Sequence, residues 1–126
     1  MHNFNFYRPM KTRKVLFCFL SLLLASCQYG INFEVQNDTN NNIDSLVITN
    51  GFNSLKLYNI KLKEKKEGFL DFNKNNPKHD GLHNIQLFMQ NSIIRKSFGY
   101  YSNGIPSVKS YKLIIKNDTI IIKDIY

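Results

Sequence analysis

Ile31-Asn32-Phe33-Glu34-Val35-Gln36 sets three apolar side chains against three polar ones in strict alternation. A period of two sends alternate side chains to opposite faces of an extended chain, so this hexapeptide reads as a strand with one face buried. The same period continues outward from it. Ile43 to Thr49 forms a second strand, stopped by Asn50-Gly51, a pair suited to tight turns. Leu55 and Leu57 fall on one face and Ile60 and Leu62 on the other; the phase slips near Tyr58-Asn59, which indicates a bulge or a junction of two strands. Phe69 to Phe72 is a short strand, and Ile85, Leu87 and Met89 alternate with Asn84, Gln86 and Phe88 in a longer one. Ile93 to Tyr101 carries Ile94, Phe98 and Tyr100 on one face and is closed by Ser102-Asn103-Gly104 with Pro106. Tyr111, Leu113 and Ile115 alternate with Lys112, Ile114 and Lys116, and Asn117-Asp118 offers a two-residue hairpin turn into Thr119 to Ile125.

No helical period with caps competes with these strands beyond Gly30. The expected fold is all-β: a small antiparallel β-sandwich, immunoglobulin-like, of seven to nine short strands, with a small barrel or a meander sheet as the alternative. His79-Asp80-Gly81-Leu82-His83 leads into the best strand, and its Gly81-x-His83 spacing is similar to the tyrosine-corner region of immunoglobulin-like sandwiches. That resemblance puts His83 where the tyrosine stands and implies a ring tucked under a loop, with a nitrogen bonded to backbone.

Upstream of the strands the chain changes character. Arg8, Lys11, Arg13 and Lys14 precede an apolar run from Val15 to Leu24, and the small residues Ala25 and Ser26 precede Cys27. This is the order of a secretory signal helix, and a run of about ten residues falls short of the roughly 20 that span a bilayer core. Leu24-Ala25-Ser26-Cys27 resembles the lipobox of bacterial lipoproteins, and Met10-Lys11 opens a tighter version of the signal, with Met10 as an alternative start. The resemblance implies cleavage between Ser26 and Cys27 and a diacylglyceryl group on the Cys27 thiol; the strand pattern and the length that remain then read as residues 27–30 for a short tether and residues 31–126 for one β domain. The lipobox resemblance also implies a membrane partner reached through lipid. Two or more acyl chains hold a domain stably at a membrane, whereas one binds reversibly.

Removing residues 1–26 changes the composition. Four of the 17 basic residues lie there and none of the nine acidic ones, so 13 against nine remain and the formal charge falls from +8 to +4. The surviving lysines are scattered among Asn and Asp, which argues against nucleic acid as a partner. Cys18 and Cys27 are the only cysteines, so a chain starting at Cys27 has no pair for a disulfide.

Candidate sites are few. His79, Asp80 and His83 group metal-type ligands without a third partner nearby, so no metal and no cofactor are assigned. No nucleophile elbow, phosphate loop or close carboxylate pair is present, so no catalytic residue is assigned and the chain is read as non-enzymatic. Lys61, Lys63, Lys65 and Lys66, interrupted by Glu64, read as a solvated turn or a protected strand edge. Tyr100, Tyr101 and Asn103, in an aromatic cluster running into a turn, are the candidate contact residues. Asp44-Ser45-Leu46 and Asp118-Thr119-Ile120 resemble the tripeptide O-glycosylated in exported proteins of Bacteroidota, which implies Ser45 and Thr119 as glycan carriers. Gln28-Tyr29-Gly30 lacks the acidic run that resembles a surface-export signal, which favours the periplasmic face of an outer membrane. The expected function is contact with an envelope protein or glycan. An inhibitor or immunity-type lipoprotein, inserting Ser102 to Ser107 into an enzyme, is the alternative.

Overall fold

The computed structural model describes residues 29–126, so the signal segment and Cys27 lie outside the described residues. Nine strands follow in order: β1 Gly30–Asn37, β2 Ile43–Thr49, β3 Ser54–Ile60, β4 Lys65–Asp71, β5 Gly81–Met89, β6 Ser92–Ser102, β7 Ile105–Pro106, β8 Ser110–Ile115 and β9 Ile120–Ile125. They form a four-stranded sheet in the order β4-β1-β8-β9 and a five-stranded sheet in the order β3-β2-β5-β6-β7. The two-sheet, all-β class read from the alternation is the one observed.

The apolar phase of each strand decides which face goes in. Ile31, Phe33 and Val35 of β1, Leu70 of β4 and Tyr111, Leu113 and Ile115 of β8 meet Leu46 and Ile48 of β2 and Ile85 and Leu87 of β5, all essentially without solvent contact. One sheet's buried face thereby packs on the other's, the usual solution for two half-apolar sheets.

Three features depart from the sequence reading. The sandwich is not wholly antiparallel: β1 pairs with β8 in parallel, Asn32 opposite Ser110 through Asn37 opposite Ile115. Parallel neighbours require a long crossover, and no local periodicity reports one. Second, β4 begins at Lys65, four residues before the expected strand, because its lysines occupy the exposed edge of the four-stranded sheet. The Lys61 to Glu64 stretch is a turn, so the basic run is turn and protected edge. Third, Asn59 adopts φ 51° within an unbroken β3. The phase slip is therefore a local kink in one strand, and it turns Ile60 into the core.

The largest correction concerns β6. Gly81 pairs with Tyr101 and His83 with Phe98, so Gly99 and Tyr100 together oppose the single residue Leu82. With Gly99 at φ 63° this is a bulge of the type that places glycine in the left-handed region. The extra residue inverts the phase: Phe98 and Tyr101 face inward, and Tyr100 faces solvent. Tyr101, expected as a contact residue, is a core residue at 2% exposure.

Candidate functional site

Beyond the bulge, β6 turns back through Asn103 and Gly104, at φ 51° and 68°. Two left-handed residues between the paired Ser102 and Ile105 make the tight hairpin turn whose twist suits antiparallel strands. The Asp80 carboxylate holds this turn. Its Oδ1 accepts the Asn103 amide at 2.7 Å and the Ser102 hydroxyl at 3.2 Å, and its Oδ2 accepts the Tyr100 hydroxyl at 3.0 Å. The Asn103 amide, then the Tyr100 and Ser102 hydroxyls and the nearby His79, hold the Asp80 carboxyl below the usual carboxylate range, with slight burial opposing them. Tyr100, about half exposed, and Asn103 thus belong to one ordered tip, joined by Asp80, a residue whose clamping role no local motif announces.

The tip is bonded to the first described residue. The Tyr29 carbonyl accepts the Phe72 amide at 2.9 Å, and Asn76 Nδ2 bridges the carbonyls of Phe72 and Gly104, each at 2.8 Å. The Gly104 amide in turn donates to the His79 carbonyl at 2.8 Å. Between these elements runs an open groove of about 360 Å³, lined by Tyr29, Phe72, Asn73, Asn76, Lys78, Asn103 and Ile105. Its walls mix the amides of Asn73, Asn76 and Asn103 and the Lys78 ammonium with the rings of Tyr29 and Phe72, and Ile105 is half exposed at the rim. Such a surface offers hydrogen bonds to a partner and contains no paired acid and base.

His79 and His83 do not converge. His79 is exposed, its Nδ1 against the Asp80 carbonyl at 2.9 Å, whereas His83 has no solvent contact. Among the described residues no group of three His, Cys, Asp or Glu side chains is placed to hold a metal. His83 lies instead inside an aromatic cage, with ring centroids of Phe98, Tyr101, Tyr111 and Phe72 at 5.5 to 5.8 Å and Phe33 at 6.2 Å. Neither ring nitrogen has a partner at hydrogen-bonding geometry, which corrects the expected backbone bond. Burial pushes its pKa down to about 4; the Phe98 backbone lies near enough to oppose that shift but makes no well-formed bond. The ring that reaches backbone through a hydroxyl is Tyr101, which donates to the Asn50 carbonyl at the β2–β3 turn.

Asp80→Ala removes the carboxylate that accepts from Tyr100, Ser102 and Asn103, and leaves the Gly104 amide on the His79 carbonyl. Faster amide exchange at Asn103, with the core amides of β1 and β5 unchanged, is the outcome expected by NMR; unaltered exchange at Asn103 would show that the turn is held by its backbone alone.

The glycan-carrier candidates sit differently. Thr119 is exposed beside the β8–β9 turn, where the Lys116 amide donates to the Thr119 carbonyl across Asn117-Asp118. Ser45 lies within β2, paired on both sides, with its side chain half buried on the sheet's outer face.

No protein-family model matches the chain, and no curated protein matches it in sequence. Among solved structures it is similar to a protein from Eubacterium rectale determined by NMR, at 11% identity and a TM-score of 0.51, covering 75% of this chain and 87% of that one. Identity that low carries the fold alone.

Proposed function

We propose that the protein is a lipid-anchored, non-enzymatic module of the cell envelope, held at the periplasmic face of an outer membrane, which works by touching a protein or glycan there. The observation that carries this reading is the continuous set of hydrogen bonds from Tyr29 through Phe72 and Asn76 to the Asn103-Gly104 turn. Cys27 is two residues from Tyr29, a reach of at most roughly 7 Å along the chain. With acyl chains on that cysteine, the Asp80-clamped tip and its groove of amides and aromatic rings stand at the membrane surface and meet a partner anchored in the same membrane. A rigid turn binds at lower entropic cost than a mobile one, which supports contact as the mode of action.

The same rigidity favours the inhibitor reading as the second choice, with Ser102 to Ser107 as the inserting element. Cys27→Ser tests the anchoring directly. Processing is expected to stop, with no acyl mass on the chain and loss of membrane retention after the signal is removed by other means. Unchanged processing and fractionation would overturn the reading. A photo-crosslinker at Asn103 in the lipidated protein then separates a membrane-resident partner from a single stoichiometric enzyme, the result expected of an inhibitor.

A further inference from the structure

The end of the sandwich opposite Tyr29 carries a second surface. On the outer face of the five-stranded sheet Ser45 lies between Tyr58 of β3 and Phe88 of β5, and Phe88 in turn pairs with Ile93 of β6. The four side chains form one row across four strands, roughly 14 Å long at about 4.8 Å per strand. Tyr58 and Ile93 are more than half exposed and Phe88 is partly so. The neighbouring row is polar apart from Val47, with Lys56, Gln86 and Arg95.

An amide rim borders the row at the β5–β6 turn. Gln90 Nε2 donates to Asn41 Oδ1 at 3.2 Å, and the Gln90 backbone amide donates to Asp44 Oδ2 at 3.0 Å. The Gln90 Nε2 bond occupies Asn41 Oδ1, and the Nδ2 of this exposed amide keeps its donor capacity. Three apolar side chains cover far less than the roughly 800 Å² that each partner buries in a stable protein complex. A sugar chain needs less: its C–H faces rest on one or two rings, while its hydroxyls, both donors and acceptors, bond to carboxamides.

We propose that this row binds a neutral glycan, with Tyr58 and Phe88 as the stacking surface and Asn41 and Gln90 as the hydroxyl partners. The inference rests on the contact-module reading and gives its ligand a chemical class. It also divides the molecule: the tip faces the anchoring membrane, and the row stands near the far end of a β1 about 26 Å long.

The full lipidated protein in detergent, titrated by calorimetry with cello-oligosaccharide and with chito-oligosaccharide, provides the test. Saturable binding of one of them is expected, insensitive to salt, weakened about tenfold or more by Tyr58→Ala and unaffected by Tyr126→Ala at the exposed C terminus. Ile93→Ser serves as the second variant if Tyr58→Ala loses the fold, and weakened binding is expected there also. Absence of saturable binding to both sugars, or binding indifferent to these substitutions, would overturn the proposal, as would a photo-crosslinker at Tyr58 that captures protein and no glycan in membranes. The Cys27→Ser fractionation is read separately, so a failed anchor and a failed sugar site give different results.

Discussion

Lowering the pH from about 6.5 to 4 is expected to cost this fold about 3 kcal/mol through His83 alone. In the unfolded chain the ring takes up its proton near 6.5, whereas inside the aromatic cage burial delays uptake until about 4. Folding therefore favours the neutral ring. Its contribution is intact above the unfolded value, drains as pH falls through the interval and is fully lost below the folded value. The depressed carboxyls of Asp38 and Asp80 act in a lower window, beginning near the ordinary carboxylate value of 3.8, so the two effects separate along the pH axis. Urea titrations at pH 7 and pH 4.5 check this. His83→Phe should flatten the profile between those values, and because it also removes two buried nitrogens without partners, stability at pH 7 should hold within about 1 kcal/mol. A wild-type midpoint that does not move between pH 7 and 4.5 would contradict the buried, neutral ring.

Gly99→Ala is the second large expectation, a loss of about 3 kcal/mol or more. Two costs combine. A side chain at φ 63° is strained by roughly 1–2 kcal/mol. The new Cβ would also overlap the Tyr111 hydroxyl and approach His83 Nδ1 to 2.9 Å, and neither ring can retreat, because both are walled in by Phe33 and Phe98. Gly51→Ala separates the two contributions. Its φ is 95°, but the nearest atom to a Cβ there is the Tyr101 hydroxyl at 3.9 Å, so it pays for strain alone. Equal losses at the two positions, measured by chemical denaturation, would show that the bulge tolerates a side chain and that packing behind Gly99 is looser than described.

The same glycine marks the limit of what the sequence discloses. Period-two alternation reports faces faithfully where strands are regular, which is why β1, β5 and β8 were legible residue by residue and β2 by its bounds. One inserted residue inverts the phase of everything after it, so Phe98 and Tyr100 looked like neighbours on one face while Phe98 and Tyr101 share the core. Asn59 does the same on a smaller scale, but its slip was visible because apolar residues flank it closely on both phases. The tip was legible only in part. Tyr100 and Asn103 stand out by composition, whereas Asp80 joins them from the far side of β5, across a sequence distance that no local pattern bridges. His83 was legible as buried by phase, but its isolation from any partner depends on five rings: Phe33 of β1, Phe98 and Tyr101 of β6, Tyr111 of β8 and Phe72 just after β4.

The parallel pairing of β1 with β8 bears on how the chain becomes a protein at all. Synthesis delivers Phe33 and Val35 early, but the strand that shields them on one side spans residues 110 to 115, almost at the C terminus. The five-stranded sheet is built of successive hairpins and a nearby pairing, whereas the four-stranded sheet cannot assemble until the last strands are released. Contacts of such long range close slowly. Until residues 110–115 are available, β1 has a partner on its β4 edge alone, so one edge of the strand that carries Phe33 and Val35 stays open while the five-stranded sheet can already form.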